Sequence, residues 1–169
     1  MMVLAAVVQL LLAGTFVVMP VVAYRYAAAA AQRAADADAV RQGLPAGSLA
    51  KHGIRKEESK AELMLPLAIA LVLAVLASLN LAGAGRTLTW VLQPLMLLAG
   101  GFVTAGQVFV VRYVEIDLRK SDDPGLRGVD VRSFVSAAQA EFPGWVRPVI
   151  VARFVLATAG SALIICLSL

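Results

Sequence analysis

Residues 128–160 read GVDVRSFVSAAQAEFPGWVRPVIVARFVLATAG. Two kinds of helix lie end to end in this stretch. Asp130 is suited to cap a helix start, because its carboxylate can accept from the free N–H groups of the first turn. After it, Val131, Phe134, Val135, Ala138 and Phe142 recur at i, i+3, i+4, i+7 and i+11, which is one helical face. Arg132, Ser133, Ser136, Gln139 and Glu141 take the other face, and Pro143-Gly144 ends the run. A helix over roughly 130–142 is too short to cross a bilayer. The pattern predicts that it lies in the cytoplasmic membrane interface, apolar face down, with packing on the four-helix bundle as the alternative. From Trp145 onward the pattern changes. Residues 146–168 are apolar enough to span a membrane, yet Arg153 sits well inside them.

Working outward, the whole chain has the same character. Mean hydropathy is +0.83 over 169 residues, and the 15% of charged residues are clumped. Long uncharged runs between charge clusters are a membrane pattern. Further spans are predicted over about 2–23, 64–84 and 88–111. The first carries no charge and Arg25 follows it. A cleavable leader places its basic residues before the apolar run, and Val21-Val22-Ala23 is a poor cleavage match, so an uncleaved span is predicted. Trp90, Tyr113 and Trp145 suit interfacial positions near span ends. The expected fold is an all-α membrane protein. Four transmembrane helices form an antiparallel bundle, with one short cytoplasmic interfacial amphipathic helix, in a single integral membrane domain over 1–169.

The connectors are legible too. Residues 24–42 are alanine-rich, and alanine is the best helix former, so the first helix is expected to run on past the membrane. Gly43 with Pro45 stops it. Residues 44–53 read as a loop, and 54–62 begin the second helix before its span, with Pro66 near the inner end.

Charge sets the expected topology. The 24–63 connector holds seven basic residues and the 112–147 connector six, whereas the turn between spans two and three holds only Arg86. This bias predicts both connectors in the cytoplasm and both termini outside. The high alanine, valine and arginine content suits a GC-rich bacterium, and the expected location is a bacterial cytoplasmic membrane. A pI near 9.6 does not imply nucleic acid here, because the basic residues flank apolar runs as topology signals do.

Polar residues inside the spans are the candidate contacts. Gln9, Asn80 and Gln93 share a depth of roughly 7–12 Å below the outer boundary at 1.5 Å per residue. Hydrogen bonds among them are expected to glue helices together at about 0.6 kcal/mol each, up to roughly 2. Small-residue ridges at Ala70, Ala74 and Ser78, at Gly101 and Ala105, and at Ala157 and Ser161 allow close helix approach. Arg153 lies about 7–9 Å inside the inner boundary, where a bare cation costs at least 2.5–3.5 kcal/mol unless it snorkels or finds a partner. Gln107 is the candidate at similar depth, and Glu62 and Glu115 stand at inner span ends. Together they form a candidate anion or partner site.

Several chemistries are excluded. Cys166 is the only cysteine and His52 the only histidine, so an intrachain disulfide, a Cys cluster and a bis-His haem anchor cannot form within one chain. No carboxylate lies deep in a span, which removes a proton relay of that kind. There is no P-loop and no GxSxG. Glu115, Asp117, Asp122 and Asp123 read as a solvated acidic stretch. No metal site and no cofactor are expected.

One stretch carries a resemblance. RKEESKAELMLP supplies Arg55, Ser59, Glu62 and Pro66. It resembles the R-x3-N-x2-E pattern, followed shortly by Pro, at the start of helix two in MAPEG proteins, the membrane glutathione transferases and their relatives. Ser59 stands where the family has Asn, and Pro66 falls one position late. The 112–144 connector is also longer than the family's, and helix three matches the family's Arg/Tyr pattern poorly. The resemblance implies a four-helix membrane protein with a cytoplasm-facing site. In it Arg55, Glu62 and an Arg on helix four, here Arg153, would help hold glutathione.

From the residues themselves the leading expectation is a non-catalytic integral membrane protein, an accessory or scaffold subunit of a larger assembly. Its partners would be the lipid bilayer and other membrane subunits or further copies of itself. A MAPEG-like enzyme or lipophile-binding protein comes second. A small transporter comes third, for want of a deep ionisable pair or a broken helix.

Overall fold

The computed structural model of the chain describes residues 1–22, 27–51, 54, 60–120 and 124–168; Val22, 60–62, Pro124 and Arg127 are described as backbone only. It is all-helical, with no strand among the described residues. In chain order the helices are α1 (Met2–Val22), α2 (Ala28–Arg41), α3 (Ser48–Lys51), α4 (Lys60–Leu81), α5 (Arg86–Val108), α6 (Val110–Lys120), α7 (Pro124–Arg127), α8 (Val131–Ala140), α9 (Val146–Val155) and α10 (Ser161–Ser168). A π-helical turn, Leu156–Gly160, joins α9 to α10.

Four helical segments are long and apolar enough to cross a membrane: Met2–Val21, Leu63–Leu81, Arg86–Val108 and Val146–Ser168. Each follows from an apolar run of about the length that a bilayer needs. The chain divides into two compact units. The first gathers Met1–Val21, Lys60–Val108 and Arg147–Leu169, and the second Val22–Ser59 and Phe109–Val146.

The first unit is built from the four apolar segments. Leu12, Ala13 and Phe16 of α1, Ile69, Ala70 and Leu73 of α4, and Ala157 of the π turn share one buried cluster. Met96, Ala99 and Val103 of α5 pack against it. Of the predicted small-residue ridges, Ala157 and Ser161 are fully buried, whereas Ser78 is exposed and its hydroxyl donates back to the Ala74 carbonyl. The α4–α5 turn depends on Gly83. It sits at φ +77°, where Ala84 N–H donates to the Leu79 carbonyl and its own N–H to the Asn80 carbonyl. This closes the helix end in the left-handed manner that glycine permits.

The second unit is made from both polar connectors. α2 ends as its sequence predicts: Gly43 is at φ +91°, Leu44 N–H reaches the Ala39 carbonyl, and Pro45 follows. Its alanine face, Ala31, Ala35 and Ala39, packs against Val131, Phe134, Val135 and Ala138 of α8. Leu118 of α6, Leu126 of α7 and Leu49 of α3 complete the core.

This arrangement corrects the expectation for the 130–142 helix. α8 exists, over Val131–Ala140, and Asp130 caps it by accepting from the Arg132 and Ser133 N–H groups at 2.9 and 3.2 Å. Its apolar face does not lie open to a bilayer. Phe134 is 1% exposed because α2 and α6 cover it, and Phe142 is half-buried against the same core. Alanine side chains on α2 let the two helix axes approach closely, and that close packing removes the apolar face from any lipid.

Candidate functional site

Inside the first unit, five polar side chains from all four apolar segments form one hydrogen-bonded chain. Gln9 of α1 donates from Nε2 to Gln93 Oε1 of α5 at 3.0 Å. Asn80 of α4 donates from Nδ2 to Gln9 Oε1 at 2.9 Å and to Thr89 Oγ1 at 2.9 Å. Thr89 donates back to Asn80 Oδ1 at 3.1 Å, and Gln93 Nε2 donates to Ser161 Oγ of α10 at 2.9 Å. All five are buried. A primary amide offers two donors and two acceptor lone pairs, so three amides and two hydroxyls can satisfy one another without water. The predicted group Gln9, Asn80 and Gln93 is thus brought together. Thr89 and Ser161 join it unannounced, since hydroxyl residues are common in spans. Their one sequence signal is position: Thr89 lies four residues before Gln93, and Ser161 lies on the ridge with Ala157.

The second feature is Arg153 on α9, a cation 1% exposed within one of the four apolar segments. Its Nη2 donates to Oε1 of Gln107 on α5. Its guanidinium carbon stands 5.0 Å from the centroid of the Phe16 ring on α1. The ring face carries partial negative charge and offsets part of the cation's desolvation. Depth marks Gln107 in the sequence; nothing marks Phe16, because an aromatic residue in an apolar run carries no signal of its own.

Other candidates fall elsewhere. Glu115 belongs to the second unit, where it lines a cleft of about 390 Å³ with Leu118, Arg119, Leu126, Val129, Asp130, Val131 and Arg132. Arg55 lies outside the described residues, as does the side chain of Glu62. At the C-terminal end of α10, Arg86 Nε donates to the Ser168 carbonyl at 2.9 Å, a cation on a helix end whose carbonyls carry partial negative charge.

Among the described residues the second unit holds one buried carboxylate, Asp38 of α2. Burial pushes its pKa up, but hydrogen bonds from Ser133 and Gln42 and the charge of Arg41, 2.8 Å away, outweigh that and hold it below the ordinary aspartate value. Gln42 donates from Nε2 to Asp38 Oδ2 at 2.8 Å and to the Asp130 carbonyl at 3.2 Å, and accepts from the Asp130 N–H at 2.7 Å. One amide therefore pins the end of α2 to the start of α8. Among the described residues no cluster of three or more His, Cys, Asp or Glu is arranged to hold a metal ion.

Comparison with protein-family models, with curated proteins and with solved structures returned no match.

Proposed function

We propose that the protein is a non-catalytic integral membrane protein, an accessory or scaffold subunit of a larger membrane assembly. In this reading the four apolar segments form an antiparallel bundle in a bacterial cytoplasmic membrane. The second unit lies on the cytoplasmic side, because both of its connectors carry the basic residues. One observation carries the reading: Gln9, Asn80, Thr89, Gln93 and Ser161 spend their hydrogen bonds on one another. A polar interior that closes on itself fixes helix positions; a site for a substrate keeps groups aimed at an open space. Purification in mild detergent followed by native mass spectrometry tests it. The expected mass is that of the chain with a second polypeptide in fixed stoichiometry. A lone monomer or a simple homotrimer overturns it.

Burial of Arg153 favours a second reading, a MAPEG-like enzyme or lipophile-binding protein with a cytoplasm-facing anion site. That reading expects glutathione to raise the melting temperature of the wild type and not of Arg153→Leu.

A further inference from the structure

The cleft of about 390 Å³ in the second unit lies between α6, α7 and the start of α8. Its volume falls at the lower end of the range for small-molecule sites. The apolar part of its lining is fixed, because Leu118, Leu126 and Val131 belong to the buried core. The rest of the lining is charged. Arg119 follows Leu118 on α6, and Arg132 follows Val131 on α8, so each buried anchor sets an exposed arginine at the edge of the cleft. Glu115, one turn before Arg119, is a half-buried carboxylate of the same cleft.

These charges are not spent on one another. Glu115 and Arg119 stand four apart, in the order that favours an ion pair along a helix, yet they form none. Among the described residues the side chains of Glu115, Arg119 and Arg132 take part in no hydrogen bond and no ion pair. Asp130, the remaining charged residue of the lining, is engaged. Its carboxylate accepts from the Arg132 and Ser133 N–H groups, and Gln42 holds its backbone. Two guanidiniums and one carboxylate therefore remain for a ligand. The contrast is with the first unit, where the amides and hydroxyls of the buried network satisfy one another.

We propose that the cleft binds a small phosphorylated amine, with the phosphoryl group at Arg119 and Arg132 and the ammonium at Glu115. One guanidinium fork matches the two oxygens of a carboxylate. Two forks, from separate helices, call for more acceptor oxygens and more negative charge, which a phosphoryl group supplies. An ammonium is a compact donor that one carboxylate can hold. Leu118, Leu126 and Val131 cover the carbon chain that joins the two ends. The amine is a primary one, since a quaternary ammonium has no N–H to give Glu115. A free metabolite of this kind and the headgroup of an aminophospholipid present the same chemistry. The site does not rest on the subunit reading; only the lipid source assumes that the chain sits in a membrane.

The test is isothermal titration calorimetry of the full chain in detergent with O-phosphoethanolamine, which is expected to bind saturably. Arg119→Gln and Arg132→Gln should each weaken binding at least about tenfold, because each removes hydrogen bonds to a charged group. Glu115→Gln should weaken O-phosphoethanolamine by a similar factor and leave the affinity for inorganic phosphate unchanged, a split that a general attraction for anions does not give. Melting temperatures without ligand check that each variant is folded, as expected where neither arginine is buried. The lipid arm is native mass spectrometry of the chain released from nanodiscs of mixed phosphatidylethanolamine and phosphatidylcholine. Selective retention of phosphatidylethanolamine, lost in Arg119→Gln, assigns the site to a lipid headgroup; titration by O-phosphoethanolamine without such retention assigns it to a free metabolite. Neither titration nor selective retention overturns the proposal, and so does binding that the arginine variants leave unchanged. Equal affinities for phosphate and O-phosphoethanolamine in the wild type overturn the role of Glu115 and with it the amine.

Discussion

A guanidinium sealed from water must gain from its neighbours what it loses in hydration, and at Arg153 the neighbours include an amide oxygen and a ring face. Hydrogen bonds to charged groups contribute about 1.5–3 kcal/mol. A desolvated cation–π contact adds about 2 kcal/mol. Lys keeps the charge but has neither the flat face nor the second nitrogen, so it should fit the slot badly. We expect Arg153→Lys to lower stability by about 1–2 kcal/mol and Phe16→Leu by about 1 kcal/mol, read as melting temperature in detergent. Three indistinguishable melting curves would mean that Arg153 is only an anchor at the membrane surface. The slot was half legible in the sequence. Arg153 and Gln107 stand out as polar residues at one depth of two apolar runs, whereas Phe16 looks like every other apolar residue of α1. Its role arises from which face of α1 meets α9, and a uniformly apolar helix does not declare its faces.

Between elements, the least legible feature is the pairing of α2 with α8. Ala31, Ala35 and Ala39 look like helix propensity rather than a core face, because alanine contributes little to any amphipathic contrast. The α8 stripe was visible, but its cover was not, since α2 lies roughly ninety residues earlier. The packing has direct consequences. Phe134→Ala should destabilise the second unit by about 3 kcal/mol through the cavity it leaves. A cysteine at 134 should react slowly with a water-soluble maleimide and one at exposed Arg132 quickly. Equal rates would show that the face is open. The hydrogen bonds at Asp38 add a pH dependence. Its folded pKa lies below the unfolded value, so its contribution is complete above the ordinary aspartate pKa of 3.8 and is lost as pH falls through the lower folded value. Melting temperature of the wild type should therefore fall more steeply on acidification below that value than that of Asp38→Asn. Parallel acid profiles would remove Asp38 from the account. The π turn was equally hidden, because hydrogen-bond register leaves no trace in composition.

At the scale of the whole molecule the apolar runs were the plainest signal, and all four recur as helices long enough to span. The division into two units was not foreseen in the sequence, since a polar connector reads as loop or surface until its partner is known. That division sharpens the topology argument. α2 comes from the first connector and α8 from the second, and they share one core. Two segments in one core lie on one side of any membrane, and two helices long and apolar enough to span, α4 and α5, separate them. An even number of crossings meets that requirement without help from charge. In the proposed reading the basic residues then choose the side: seven and six on the connectors against Arg86 alone on the intervening turn. We expect a reporter fused at either terminus, or inserted in the turn at 82–86, to report the outside. Cysteines on exposed positions of α2 and α8 should be reached only from the cytoplasm. A cytoplasmic N-terminus with α2 and α8 still on a common side would overturn only the reading of charge. Labelling of α2 from one side and α8 from the other would overturn the shared core itself, and with it the account of Asp38, Gln42 and Phe134.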